Sequence, residues 1–458
     1  MEGAAAAAPP APAARSRLQG AVALLSRDTN VVVVTVVATN LLRMLSSVVL
    51  TRLLVPEAFG IVGLLGSISF ILSMISDLGF QAFVIRHRDG DRPLFLDTIW
   101  TIRLLRSVLL CVTLLVLAAP IARLLGQSAL AVPIAVSALQ FVIEGGSSLS
   151  VVTALRERKL PRLSLLDILG VIVQVGASIA LALVWRSYWA IVIAMLLSSL
   201  ARTVLSYALF ANTWRRFRFD RAYASELWHF ARFVTGSSII SMLLVQSDKV
   251  VLAKLIPLDA LGLYMLAGNL ALAPMAFTIA YANRVLYPVY ARTWREQPDT
   301  LRSVFYTARW RVSMLYMVAA GGLIGTAPLL VAILYDPRYA AASLYLRLLA
   351  ITPLLAMGTN AANEVLTASG RVHVTFHSNI AKLVWLAVAA PLAYWMFGPI
   401  GLIASIGTLE LPTLLYDWVQ LRRFGLLDLR RELALLALGA AGVVAGEAAS
   451  ATLLPLVR

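Results

Sequence analysis

The chain has 458 residues, of which 60% are hydrophobic and only 14% charged, with a mean hydropathy of +0.84. A soluble globular chain carries about 25% charged and about 45–50% apolar residues, so the length counts membrane crossings here, with room for roughly a dozen of about 20 apolar residues each. The formal net charge of +16 would suit a nucleic-acid partner in a soluble protein; in a membrane chain it is read first as topology, because Lys and Arg are retained on the cytoplasmic side.

Met1–Gln19 is rich in Ala and Pro and carries Arg15 and Arg17. The prolines deny it a helical apolar core, so residues 1–28 are expected to form a disordered cytoplasmic tail and not a cleaved signal peptide. Apolar segments follow at Asn30–Leu54, Ala58–Val84, Ile99–Ala122, Ala129–Val152, Leu165–Trp185 and Trp189–Ala211, giving a first lobe over residues 29–213. A basic linker at 214–226 leads to a second lobe over 227–419, with segments Leu227–Leu255, Ala260–Tyr290, Ser303–Leu334, Ala342–Ser369, His373–Phe397 and Ile400–Trp418. A basic loop and one more segment, Leu433–Val457, occupy residues 420–458, and that segment is either a thirteenth span or a bent hairpin.

The turns alternate in charge. Odd-numbered turns such as VPEA, LGQSA and IPLD carry few basic residues, whereas even-numbered turns such as RHRDGDR, RERKLPR, WRRFRFDR and LRRFGLLDLRRE are strongly basic. This places the even turns and the N-terminus in the cytoplasm. No turn is longer than about twenty residues, too short for a soluble catalytic domain on either face.

The strongest internal signal is a repeat. VVLTRLLVPEAFG at Val48–Gly60 returns as VVLAKLIPLDALG at Val250–Gly262, an ungapped offset of 202 residues that pairs Arg52 with Lys254, Glu57 with Asp259 and Gly60 with Gly262. Two copies that both begin on the cytoplasmic side imply two parallel lobes of about 200 residues related by an axis along the membrane normal. Gly60 and Gly262 are the fold-defining positions of that repeat. Gly60, Gly63 and Gly66 also form a small-residue stripe of the kind that lets helices pack closely.

Ionisable groups inside spans are the candidates for chemistry. Arg103, Arg106, Arg309 and Arg311 lie near cytoplasmic helix ends and are expected to snorkel. Arg43, near the middle of the first span, and Lys382, some ten residues into the eleventh, face either an internal aqueous cavity or a buried ion pair. Lys249 and Arg284 join them as candidate cavity cations. Asp77 and Asp248 are gating or coupling candidates at span ends, with helix-turn hydrogen bonding the alternative for Asp248. Glu144, Asp167, Glu364 and Glu410 are acidic groups within spans that could carry a proton or cation. Pro274, Pro288, Pro353, Pro391 and Pro412 bend helices of the second lobe. His373 and His377 stand at helical spacing but lack a third metal ligand, no phosphate-binding G-x-x-x-x-G-K-[ST] loop occurs, and the single cysteine, Cys111, excludes an intrachain disulfide. No metal or organic cofactor is expected; a coupling H⁺ or Na⁺ is.

TRLLVPEAFGIVGLLGSI, ISDLGFQAFVIRHRD, TALRERKLPRLSLLDILG, SYWAIVIAMLL and the run from HFARFVTGSSII to LGLYMLAGNLALAP together resemble bacterial polysaccharide flippases. These form the polysaccharide transporter branch of the multidrug/oligosaccharidyl-lipid/polysaccharide exporter superfamily, and the motifs are similar to those of colanic-acid-type exporters. The resemblance spans about residues 30–420. It implies an all-α polytopic membrane protein of the bacterial inner membrane, with two six-helix lobes in a V around a central cavity. It also implies a flippase moving undecaprenyl-pyrophosphate-linked oligosaccharide to the outer leaflet for exopolysaccharide, capsule or O-antigen export, alongside a polymerase and glycosyltransferases. Residue by residue it points to Asp77 of DLG, Asp248 of SDK, Gly262 and Tyr264 of LGLY, and Arg371 of ASGR. In this setting Arg43, Lys249, Arg284 and Lys382 would offset pyrophosphate or acidic-sugar charge. Two other readings stand beside it: a cation-coupled multidrug antiporter of the same superfamily, and a membrane polysaccharide polymerase or ligase, which would normally display a long catalytic outer loop.

Overall fold

The computed structural model describes residues 13–211, 213–371 and 373–457, and the described residues fold as helices joined by turns and short extended stretches, with no β-strand among them. Helix α1 (Ala13–Leu53) begins well inside the 1–28 stretch expected to be a disordered tail, so residues 13–28 are helical and residues 1–12 lie outside the described residues. It is followed by α2 (Pro56–Ile75), the short α3 (Phe80–Arg86) and α4 (Pro93–Leu124). The next segment is broken into α5 (Ala131–Ser137), α6 (Leu139–Gly145) and α7 (Ser150–Arg156), before α8 (Leu160–Trp185) and α9 (Trp189–Ala208).

The second half opens with the 35-residue α10 (Arg221–Leu255) and α11 (Leu258–Leu272). Pro274 ends the ladder of α11, and the chain continues as α12 (Met275–Tyr281), a π-helical turn at Ala282–Leu286 and α13 (Tyr287–Glu296). Then come α14 (Leu301–Gly325), α15 (Ala327–Leu334), α16 (Ala342–Leu349), α17 (Ile351–Ala368), α18 (His373–Gly407), α19 (Glu410–Arg423) and α20 (Leu429–Val457).

By length and apolarity, ten of the described helices can cross a membrane, or eleven if the pair bent by 68° between α14 and α15 is one span. That is fewer than the thirteen segments expected. The sequence reading splits His373–Arg423 into two spans, and Gly398 does break it with a positive φ of 63°, yet it counts as one. In addition α10, which carries Arg232, Asp248, Lys249 and Lys254, is not in the set.

The two copies of the repeat meet face to face. A Cβ at Gly60 would collide with the Leu258 carbonyl, and one at Gly262 would collide with the Pro56 carbonyl. Since Pro56 and Leu258 are themselves repeat equivalents, the contact is isologous: each copy offers the same surface to the other about a local two-fold. Gly63 extends this contact onto the Met265 side chain, whereas Gly66 has nothing close. Only two of the three glycines in the stripe therefore serve close packing. Leu64, Leu65, Leu261 and Leu266 are buried in the core around the contact.

The last helix is a single rod and not a hairpin. It lies on α14 backbone to backbone: Cβ atoms at Gly321 and Gly325 would strike the carbonyls of Gly439 and Val443, and those at Gly442 and Gly446 the carbonyls of Val318 and Gly322. Small residues allow this approach where no side-chain hydrophobic effect draws helices together in lipid. The contact is locked by Arg309 of α14, which is paired with Glu432 of α20 at 1% and 5% side-chain exposure and stacks over the Phe305 ring at 4.1 Å. Arg309 thus does not snorkel. Nor do Arg103 and Arg106: Arg103 donates to the Gly145 and Ser147 carbonyls at the break between α6 and α7, and Arg106 donates to the Ser73 and Ser76 carbonyls at the end of α2. These carbonyls are orphaned where helices stop, which gives each guanidinium an acceptor without leaving the helix packing.

Candidate substrate cleft between the repeats

Four helices surround the local two-fold: α1 and α2 from the first repeat, α10 and α11 from the second. Two seams between the halves result, and they are equivalent by the 202-residue offset. In the α2–α10 seam, Ser67 donates to Gln246 Oε1 at 3.2 Å, and the same oxygen accepts from Lys249 Nζ at 2.6 Å. The repeat mates of Ser67, Gln246 and Lys249 are Asn269, Met44 and Ser47. These residues line the other seam, where α1 stands off α11 around a cavity of about 420 Å³ bordered also by Asn40, Arg43 and Tyr335.

Arg43 is exposed in this cavity and makes no hydrogen bond or ion pair with any described residue. Lys249, by contrast, is half-buried and committed to Gln246 and to the Val245 carbonyl at 3.0 Å. Of the two candidate cations on the seams, one is free and one is held. Arg284 is exposed and also without a described partner, but it sits on the π-helical turn between α12 and α13, away from both seams' lining residues.

Lys382 does not supply a free charge. Its ammonium pairs with Glu410 Oε1 at 2.5 Å, with Glu410 4% exposed, and Thr359 donates to the other carboxylate oxygen at 2.9 Å. Asp417, two turns further along α19, accepts from Ser378 at 3.2 Å while its second oxygen is buried with no partner among the described residues. Lys382 is therefore the buried ion pair of the two alternatives, because a lone ammonium among helices is stabilised by any carboxylate within reach.

Asp248 lies beside Lys249 but turns away from the seam. Its Oδ2 accepts from the buried Tyr264 hydroxyl, and its Oδ1 is buried and unpartnered among the described residues. It forms the polar end of an apolar groove of about 450 Å³ between α10 and α18, lined by Leu243, Val251, Leu383, Pro391 and Leu402. Asp77 closes the opposite end of the α2–α10 seam: its carboxylate accepts from Ser238 at 2.9 Å and from the Gly79 amide at 2.9 Å, and its carbonyl accepts from Thr235 at 2.6 Å. Glu144 accepts from Gln140 and Ser199, Asp167 pairs with Arg202, and Glu364 is half-buried without a described partner.

Beyond the spans, Arg371 stacks on Phe424 with 3.5 Å from guanidinium to ring centroid, and burial lowers its pKa. Asp336 is held below the ordinary carboxylate range by hydrogen bonds from Arg338. Arg338 in turn donates to the Thr51 and Arg52 carbonyls, and Tyr339 donates to the Leu54 carbonyl at 2.8 Å. The DPRY turn thus ties the second half to the end of α1. The sequence gives no pattern for these three bonds, since donor and acceptors are some 285 residues apart.

A family model described as polysaccharide biosynthesis protein matches residues 49–344. The chain is 23% identical over 320 residues to the teichuronic acid biosynthesis protein TuaB of Bacillus subtilis (strain 168), covering 69% of this chain and 66% of that relative. It is 24% identical over 355 residues to the lipopolysaccharide biosynthesis protein WzxC of Escherichia coli (strain K12), covering 77% and 72%. Among solved structures, the lipid II flippase MurJ in an inward closed conformation aligns with a TM-score of 0.67 at 11% identity, covering 93% of this chain and 99% of that one. An inward-facing multidrug resistance MATE family transporter of the MOP superfamily aligns with a TM-score of 0.60 at 16% identity, covering 87% and 95%. At these identities the likeness is one of fold.

Proposed function

This chain belongs to the polysaccharide biosynthesis protein family, and from that premise we propose that it is a transporter for lipid-linked oligosaccharide, carrying undecaprenyl-pyrophosphate-linked repeat units from the inner to the outer leaflet of the plasma membrane. The observation that carries this reading is the unpaired Arg43 in the cavity between α1 and α11. A guanidinium without a protein anion, set between two halves of a membrane protein, is matched to an anionic group that comes and goes, and its planar fork suits a pyrophosphate. The stand-off of α1 from α11 supports a lateral opening through which the lipid tail stays in the bilayer while the headgroup enters. The apolar groove between α10 and α18 supports the same reading, as a surface for part of the polyprenyl chain. Alternating access would then exchange the open seam between faces, with H⁺ or Na⁺ as coupling ion, and the product would pass to a polymerase.

The test is a deletion strain whose lipids are extracted and examined by mass spectrometry. Accumulation of a complete undecaprenyl-linked repeat unit, together with loss of surface polymer, supports the flippase and identifies the cargo. Unchanged polymer and unchanged lipid-linked pools, with no related transporter covering the loss, would sink the reading in favour of small-molecule antiport.

A further inference from the structure

The covalent link between the two halves is an extended strap, residues 213–220, and it is pinned in place. The backbone amides of Arg216, Arg218 and Asp220 donate to Asp97, Thr101 and Thr98 of α4 at 3.3, 3.3 and 3.2 Å. At one end Ser148 donates to the Thr213 carbonyl at 3.1 Å. At the other, the Asp220 carboxylate accepts from the amides of Ala222 and Tyr223 and caps α10. Every second amide faces α4, so the strap has the period-2 alternation of an extended chain and cannot rotate to hide its side chains.

Its exposed side chains alternate, with Phe217 and Phe219 to one side of the strap and Arg216 and Arg218 to the other. Trp214, Phe217 and Phe219 are 85%, 71% and 62% exposed, and Arg216 and Arg218 are exposed and make no ion pair with any described residue. Trp228, on the second turn of α10, is likewise 69% exposed. Of the carboxylates that touch the strap, Asp220 accepts from the amides of α10, and Asp97 accepts from the Arg216 amide and attracts Arg215. Rings held in water this way are unfavourable. At the headgroup level of a bilayer the same rings are favoured and guanidiniums meet phosphates.

We propose that residues 213–220 are a binding surface for anionic phospholipid headgroups, with Phe217 and Phe219 at the acyl boundary and Arg216 and Arg218 on lipid phosphates. The strap thereby fastens the hinge between the halves to one leaflet. The proposal is independent of what the protein transports.

The test uses full-length protein purified in neutral detergent, offered a mixture of phosphatidylglycerol and phosphatidylcholine, with retained lipid counted by native mass spectrometry. Phosphatidylglycerol is expected to be retained preferentially. Arg216→Gln/Arg218→Gln is expected to lower that retention about threefold or more, because two leaflet-facing charges are lost, with phosphatidylcholine unaffected. Arg422→Gln/Arg423→Gln removes the same charge from the exposed basic end of α19, outside the strap, and is the control. Phe217→Ser/Phe219→Ser is expected to lower retention of both lipids. Equal loss from the strap pair and the control pair would overturn the proposal in favour of a diffuse basic face, as would unchanged retention in the strap pair.

Discussion

The two seams between the halves are equivalent in backbone and different in side chains, and the difference decides which of them is open. In the α2–α10 seam a serine, a glutamine and a lysine satisfy one another across the gap. In the α1–α11 seam the equivalent positions are asparagine, methionine and serine. There the Ser47 hydroxyl turns back on the Met44 carbonyl of its own helix at 2.8 Å, and Arg43 faces the space with no anion opposite. The duplicated scaffold thus carries cross-seam hydrogen bonds at one of two symmetric contacts and lacks them, among the described residues, at the other. A buried polar contact that is fully satisfied holds helices together; the same contact with its partners missing costs more closed than open.

That contrast can be broken at several points. The largest effect is expected at the shared contact. Gly262→Leu forces a side chain into the Pro56 carbonyl, an overpacking of about 3 kcal/mol or more, and is expected to lower the thermal midpoint in detergent and the yield of monodisperse protein, with Gly60→Leu doing the same. Next is Arg43→Ala, expected to leave the thermal midpoint unchanged but to cut polymer export in a complemented deletion strain about tenfold or more, the loss of a charged hydrogen bond worth roughly 1.5–3 kcal/mol. Cysteine pairs sharpen the comparison directly. In a Cys111→Ser background, Ser67→Cys/Gln246→Cys is expected to cross-link readily under mild oxidation, while its repeat mate Asn269→Cys/Met44→Cys cross-links slowly, and once linked blocks export; equal rates would mean that the seams do not differ.

Smaller effects follow from the held groups. Gln246→Ala removes the acceptor shared by Ser67 and Lys249 and is expected to cost about 0.5–1.5 kcal/mol of stability, read by thermal melting. The pH dependence of the DPRY turn is smaller still. Because Arg338 lowers the Asp336 pKa from its ordinary 3.8, the contribution is fully present above that value and is lost only as pH falls through the lowered one. Melting curves are therefore expected to show a small Asp336→Asn destabilisation that is constant from neutral pH down to about pH 4 and fades below it.

Much of the architecture was legible because it rests on local signals: apolar length and an ungapped repeat. The meeting of Gly60 with Gly262 is a tertiary fact: the repeat marks the two as equivalent positions, and only the fold brings them into contact. What could not be read were pairings between helices far apart in sequence. Nothing near Lys382 announces that Glu410 will neutralise it, so cavity and ion pair stood side by side; nothing near Arg309 announces Glu432. The glycines of α14 and of α20 look unremarkable apart and become a packing surface only when the two helices are laid together. The same limit separates Arg43 from Lys382: both are lone basic residues in apolar runs, and only the neighbouring helix distinguishes a free charge from a paired one.

The glycine contact at the two-fold also has a mechanical meaning. Where two backbones touch with no side chains between them, rolling one over the other unpacks little, so the contact acts as a fulcrum. Beyond Gly60, helix α2 runs on to Ile75, a lever of about 22 Å. A tilt of about 10° at the fulcrum then displaces the far end by about 4 Å, most of one helical turn. Asp77, at the end of that lever and bonded to Ser238 and Thr235, is where so small a rotation would be converted into broken bonds.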